Sequence, residues 1–155
     1  MKIFKGLVIS RPTAAGRAAY THLAANLLQL HPSHACRQLL FRDDVLPDED
    51  KKPFLYLFVK LLLIDLRSSF PTLLAKLNSE EYTDISKRLT SVFVILASFI
   101  AYLAESWDDA EFSIPPDLLM KLRKDIAETM SLVIEYMRDR WDGSMAVGNS
   151  CLGED

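Results

Sequence analysis

Glycine and proline are scarce, with 5 and 7 residues in a chain of 155, and this scarcity excludes collagen-like and flexible-linker compositions. Hydrophobic residues make up 50% and charged residues 25% of the chain, as in ordinary globular proteins. We therefore expect a single domain over residues 1–142, followed by a flexible tail over residues 143–155. The mean hydropathy of +0.09 is high for a small soluble protein and indicates apolar surface that needs a further partner.

Cysteine and excess positive charge are also lacking. The two cysteines, Cys36 and Cys151, lie far apart in the sequence, which argues against a disulfide framework and favours a reducing compartment. The chain has 18 Lys and Arg against 21 Asp and Glu, so no basic field attracts nucleic acid. The apolar stretch Gly6–Ile9 is too short for the core of a signal peptide. We expect a cytoplasmic protein without a nucleic-acid partner.

One apolar run approaches the length of a membrane span. Leu89–Ala104 contains 16 residues without a charge, which as a helix rise about 24 Å, short of the roughly 30 Å hydrocarbon core of a bilayer. We expect a buried core helix there. A membrane-associated protein, in which Leu89–Ala104 or Phe54–Ile64 contacts lipid, remains the alternative.

Helical periodicity recurs along the chain, and no segment has a clear strand pattern, so we predict an all-α fold. Thr13 and His31-Pro32 have the residue types that begin and end helices, and Pro71 is expected to break another helix. Helices are expected from Thr13 to Leu30, from Pro32 to Phe41, from Pro53 to Phe70, from Glu80 to Glu105, and from Pro116 to the residue before Gly143. A short helical turn through Leu73, Leu74 and Leu77 is expected after Pro71.

The apolar positions predict how these helices are buried. Phe54–Leu66 is apolar on every face, which indicates a central helix covered by several neighbours. Alternating short and long helices favour an armadillo-like α-solenoid fragment, with an irregular closed helical bundle as the alternative. The predicted buried stripes are Ala18, Leu23, Leu27 and Leu30 on one helix, and Leu119, Leu122, Ile126, Met130, Val133, Met137 and Trp141 on the last.

His31, His34 and Cys36 form the only cluster of metal-ligand residue types, with His22 as the nearest further donor. A structural zinc site needs four ligands, so we interpret the cluster as a helix corner beside a small buried cysteine. We expect no metal site and no cofactor.

Asp65 and Arg67 interrupt the most apolar helix. Buried charges require partners, and residues two apart on a helix point in different directions. We therefore expect both side chains to be buried and to pair with other helices or with free loop backbone near Pro71, as structural ties.

No catalytic motif is present: Ser68, Ser69 and Ser131 lie outside any GxSxG elbow, and the sequence has no P-loop or GxGxxG. We expect no catalytic residues and no enzymatic activity, with a small hydrolase whose site escapes motif analysis as a weak alternative.

We interpret the acidic segment Asp43–Asp50 as a solvated loop. The last helix has basic residues that its acids offset, namely Lys121, Arg123, Lys124, Arg138 and Arg140.

Long runs from Leu39 to Asp142, among them IDLRSSFPTLL and KLRKDIAETMSL, resemble the neurochondrin family in its fungal form. The resemblance implies an armadillo-type helical repeat protein that acts as a non-enzymatic cytoplasmic scaffold or adaptor. It implies a protein partner, whose identity and binding residues the sequence does not give. Members of the family are considerably longer, so we expect a fragment or truncated member whose open solenoid end self-associates or binds a partner.

Overall fold

The computed structural model describes residues 2–10, 13–41, 53–77, 79–106 and 114–150, with the backbone alone for residues 2 and 143–150. Within these ranges the chain is 91% helical and forms no strand, which confirms the all-α prediction. The helices are α1 (Lys2–Ile9), α2 (Ala14–Leu30), α3 (Pro32–Cys36), which continues as a π-helical turn (Arg37–Phe41), α4 (Phe54–Ala75), α5 (Glu81–Glu105) and α6 (Pro116–Ser150).

Helix α2 begins and ends at the predicted residues. The side chain of Thr13 accepts a hydrogen bond of 3.2 Å from the backbone N–H of Gly16, which satisfies one free donor of the first turn. At the other end, the N–H of His31 donates to the carbonyl of Leu27 before Pro32 opens α3. The local sequence therefore determines both boundaries of this helix.

Helix α1 was not predicted, because its eight residues are too short to show a helical period. Its Phe4 ring lies edge-on to Tyr20 of α2, with centroids 6.0 Å apart, and to Phe58 of α4, at 5.7 Å. Phe4 and Val8 are 7% and 4% exposed. Tertiary packing therefore stabilises a helix that would be marginal in isolation.

Two predicted helix ends are wrong. Helix α4 continues through Pro71 to Ala75, since proline removes one backbone hydrogen bond while Phe70, 7% exposed, still packs in the core. Helix α6 continues through Gly143 to Ser150, because glycine inside a helix costs only about 1 kcal/mol relative to alanine. The first eight residues of the predicted flexible tail are therefore helical, and residues 151–155 lie outside the described ranges.

Helices α2 and α5 pack side by side and run parallel. Near the middle of both helices, Nδ1 of His22 lies 2.7 Å from Oγ of Ser91. Further along both helices, Leu28 and Ser98 line the same cavity. Because the contacts follow the same order along the two helices, their chain directions agree.

Helices α4 and α6 form a second parallel pair. Lys60 contacts Asp125, and Arg67 contacts Thr129 one to two turns later on both helices. Helix α5 contacts α2 and α4. It runs antiparallel to α4, since Arg88 near its start pairs with Asp65 in the second half of α4. The described helices thus form two layers, α2 with α5 and α4 with α6.

The predicted buried face of α2 is wrong. Leu23 and Leu30 are 51% and 71% exposed, whereas Ala24 and Ala25 are 0% and 4% exposed. Small side chains allow two helix backbones to approach closely, and α2 packs closely against α5. The size of the side chains, in addition to their hydrophobicity, thus decides which face of α2 is buried.

Helix α4 is central, as predicted, although it is not covered on all sides. Its inner face includes Phe58 and Leu66, both 0% exposed. Its outward face leaves Leu57, Leu61 and Ile64, hereafter the α4 row, 38%, 38% and 59% exposed. Part of the exposed apolar surface that the high mean hydropathy indicated therefore lies on this face of α4.

Candidate interaction surfaces

The HPSHAC segment is split between the core and the surface. Cys36 is 0% exposed, whereas His31 and His34 are exposed, and His22 instead contacts Ser91 of α5. Burial, with a smaller contribution from the Glu105 carboxylate, raises the pKa of the Cys36 thiol to about 12. These four side chains therefore do not converge on one point, and no group of three His, Cys, Asp or Glu suited to a metal occurs within the described residues.

Asp65 and Arg67 pair with different helices, as predicted. The Asp65 carboxylate lies 3.3 Å from Nε of Arg88 on α5 and accepts a hydrogen bond from Ser69. Nε of Arg67 donates a hydrogen bond of 2.8 Å to Thr129 on α6. The predicted burial of Arg67 is wrong, because its side chain is 42% exposed. The two residues connect α4 to helices of both layers.

Lys60 adds another connection between α4 and α6. Its Nζ lies 2.8 Å from Oδ2 of Asp125. This hydrogen bond, more than the accompanying charge attraction, raises the pKa of the Lys60 ammonium. The pair stabilises the parallel packing.

The candidate nucleophilic hydroxyls are engaged within the helices. Ser68 donates to the carbonyl of Asp65, and Ser131 donates to the carbonyl of Ala127. Ser69 donates to Asp65 and accepts from Arg88. None of these three hydroxyls has a histidine among its hydrogen-bond partners, which leaves them without the base that a serine nucleophile requires.

A cavity of about 210 Å³, hereafter the α2–α4 cleft, opens beside the α4 row. Leu61 and Ile64 of the row form part of its wall, and Arg17 of α2 and Asp65 of α4 bring one charge of each sign to it. Burial raises the pKa of Tyr20, which also lines the cleft, and so keeps its hydroxyl neutral. The remaining lining residues are Thr21, Leu62 and Ser68.

Two further grooves lie between parallel helices. One of about 320 Å³ lies between the ends of α2 and α5, and is lined largely by small residues such as Ala97 and Ala101. Another of about 330 Å³ lies where α4 and α6 begin, between Pro53, Tyr56 and Pro115. The titratable residues in their walls are Tyr102 and Glu105 in the first groove and Tyr56, Asp117 and Lys121 in the second.

Helix α6 carries the most exposed apolar surface. Leu122 and Val133 of its predicted stripe are 0% and 6% exposed, but Met137 and Trp141 are 56% and 68% exposed. The prediction of one dry face is therefore correct only as far as Val133. Ile134, which the stripe did not include, is 65% exposed.

Comparison with known families identifies the chain. The neurochondrin family model matches residues 1–151. The chain belongs to the neurochondrin family. The match extends beyond the resemblance seen over residues 39–142, so α1 and α2 are also part of the family's sequence. No curated protein and no solved structure matches the chain.

Membership of the neurochondrin family suggests a helical, scaffold-type protein. One described helix of this chain, Glu81–Glu105, is long and apolar enough to cross a membrane by length and composition. However, core helices of soluble proteins pass the same test, and Val92, Ile95 and Phe99 are each at most 1% exposed within the helical core. The membrane-associated alternative is therefore not favoured.

Proposed function

We propose that this neurochondrin-family chain is a non-enzymatic, armadillo-type interaction module in the cytoplasm, and that it binds a protein partner along the α4 row and the α2–α4 cleft. The parallel pairing of α2 with α5 and of α4 with α6 supports the armadillo-type arrangement, because solenoids stack equivalent helices of successive repeats. The proposal rests most directly on one observation, the exposed α4 row beside an open cleft.

The spacing of the α4 row suits a helical partner. Leu57, Leu61 and Ile64 are four and then three residues apart, so they form a straight apolar ridge about 10 Å long. An amphipathic helix presents a matching ridge at the same spacing. Arg17 and Asp65, the latter paired with Arg88, add polar groups to the rim of this surface.

The size of the cleft favours a protein side chain over a small substrate. Its volume of about 210 Å³ is below the roughly 300–1,000 Å³ typical of small-molecule sites. The neutral Tyr20 and the internally bonded Ser68 provide no activated nucleophile or base. Binding, without covalent chemistry, is the role that these residues support.

Affinity capture with the full chain tests the proposal. Ile64→Glu places a charge in the middle of the apolar surface, and we expect it to release the specifically bound partner. Loss of a central apolar contact at an interface typically weakens binding by about 30-fold. The measurement is quantitative mass spectrometry of captured proteins, after circular dichroism has shown equal helix content.

Ile134→Glu is the matched control, because Ile134 and Ile64 are 65% and 59% exposed but lie on different helices. The control should retain the proteins that Ile64→Glu loses. Capture of the same proteins by all three chains, or of none above background, contradicts the proposal. Recovery of the chain in the membrane pellet after carbonate extraction contradicts its cytoplasmic, non-membrane part.

A further inference from the structure

Helix α6 is much longer than the helix it packs against. It has 35 residues, about 52 Å, whereas α4 has 22 residues, about 33 Å. Arg67 lies level with Thr129, so the end of α4 at Ala75 lies level with roughly residue 137 of α6. The part of α6 after about residue 137 therefore extends beyond the end of α4.

One face of α6 carries an apolar stripe that begins beside α4 and continues into this extension. Met130, Ile134, Met137 and Trp141 are separated by four, three and four residues, which is the spacing of a helix-pairing seam. Met130 is half-buried, and Ile134, Met137 and Trp141 are 65%, 56% and 68% exposed. Methionine and tryptophan are among the residues enriched at protein interfaces. We call these four residues the α6 stripe.

We propose that the α6 stripe pairs with the same stripe of a second copy of this chain, as an antiparallel helix pair. A two-fold axis midway between Ile134 and Met137 makes the surface complementary to itself. In this register Ile134 lies opposite Met137 of the second copy, and Met130 lies opposite its Trp141. Thioether sulfur packs favourably against aromatic rings, so every residue of the stripe has a suitable contact.

The charges around the α6 stripe favour a second copy as the occupant. This part of the helix carries Glu135, Asp139 and Asp142 against Arg138 and Arg140, so neither sign dominates and a strongly charged partner gains little. In the antiparallel register Arg138 lies level with Val133 of the second copy, and Arg140 with its Ser131. A parallel pair would place each arginine level with its own counterpart, where like charges repel.

The area available is consistent with a reversible dimer. Pairing residues 130–141 of two α6 helices buries on the order of 1,000 Å², close to the lower end for specific interfaces. We therefore expect dissociation in the micromolar range, about 1–50 μM. The pairing does not depend on the α2–α4 cleft, which remains available to the partner proposed above.

Light scattering with size exclusion, over a concentration series of the full chain, tests the pairing. We expect a molar mass that rises with concentration from 17.6 kDa towards twice that value. Ile134→Glu should weaken the dimer by about 30-fold or more, whereas Ile64→Glu should leave it unchanged. A wild-type chain that stays monomeric, or an equal effect of the two variants, overturns the proposal without affecting the capture experiment.

Disulfide cross-linking tests the direction of the helices, in a Cys151→Ser background that leaves only the buried Cys36. A mixture of Ile134→Cys and Met137→Cys chains should form the mixed dimer several times faster than either chain links to itself. Preferred self-linking of Ile134→Cys indicates parallel helices and overturns the antiparallel pairing. Random linking, with equal rates for all three pairs, overturns a specific interface.

Discussion

Nε of Arg67 on α4 donates a hydrogen bond of 2.8 Å to Oγ1 of Thr129 on α6, and Thr129 is fully buried. The same hydroxyl donates to the carbonyl of Asp125 within α6. Arg67 and Thr129 thus connect two parallel helices through a polar contact, in addition to the Lys60–Asp125 pair between the same helices. A buried hydroxyl with both a donor and an acceptor partner is fully satisfied.

We expect Arg67→Ala to lower the free energy of unfolding by about 1–1.5 kcal/mol. This is less than the roughly 3 kcal/mol expected for a buried, paired arginine, because the side chain is 42% exposed and Thr129 keeps its bond to Asp125. Urea denaturation measures the difference. In a double-mutant cycle with Thr129→Val, a coupling below about 0.3 kcal/mol would show that the contact contributes nothing.

Phe58 is the centre of the aromatic core. It is 0% exposed, and its ring centroid lies 5.7 Å from that of Phe4 and 5.6 Å from that of Phe54. Phe58→Ala should destabilise the fold by about 3–5 kcal/mol through lost burial and the cavity left behind. Leu61→Ala, three residues away on the exposed row, should cost less than about 1 kcal/mol. Similar losses of melting temperature in both variants would contradict the assigned faces of α4.

Pro71 lies inside α4 although proline disfavours helix interiors. Because Pro71→Ala restores a backbone N–H one turn after Arg67, we expect the variant to be more stable by about 1–2 kcal/mol. Greater freedom of the unfolded chain offsets part of this gain. Thermal and urea denaturation measure the change in the free energy of unfolding, and Thr72→Ala at the next position is the control. A loss of stability in Pro71→Ala would mean that the proline ring itself is needed for packing.

Cys36 should make the fold less stable in alkaline solution. Its folded-state pKa is raised from 9.0 to about 12, so the native state holds the proton more tightly than the unfolded chain. The contribution is fully present below about pH 9 and is lost as the pH rises towards 12, by at most about 1.4 kcal/mol per unit. The raised pKa values of Tyr20 and Lys60 also make the fold less stable as the pH rises.

Urea denaturation at pH 8, 9 and 10 checks this dependence. Cys36→Ala should reduce stability at pH 8 but flatten its decline at higher pH, since the group that titrates is removed. In the Cys151→Ser background, the thiol of the folded chain should also resist modification by Ellman's reagent at pH 8. An unchanged slope in Cys36→Ala, or rapid modification, would contradict burial of the thiol.

Some features were predictable because they depend on neighbours in sequence. The cap at Thr13, the end at His31-Pro32 and the apolar character of α4 and α5 follow from local residue types, and the structure confirms them. The faces of α2 could not be predicted from hydrophobicity, because Ala24 and Ala25 are buried by close helix approach while the larger Leu23 is exposed. Helix α1 could not be predicted because it is stabilised by the packing of Phe4 against α2 and α4, which are distant in sequence.

The candidate site also has some features that were predictable from the sequence and others that were not. The absence of catalytic motifs and the pairing of Asp65 and Arg67 with other helices were apparent from residue types and spacing. The positions of the α4 row and the α6 stripe were not, because a periodic apolar pattern does not reveal which positions a neighbour covers. Signals for both were present, in the all-round apolarity of α4 and in the continuation of the α6 pattern past Val133.

Local chemistry alone thus determines that this chain is helical and too apolar to bury all its hydrophobic side chains, since propensity, capping and composition are properties of short segments. Tertiary packing determines which of these hydrophobic side chains stay exposed. The parallel pairing of α2 with α5 and of α4 with α6 sets the relative heights of the helices, and α6 is longer than the helix beside it. The end of the α6 stripe is exposed because of that mismatch in length, and the α4 row because it lies on the face of α4 that points away from the core. Both outcomes depend on contacts between residues distant in sequence.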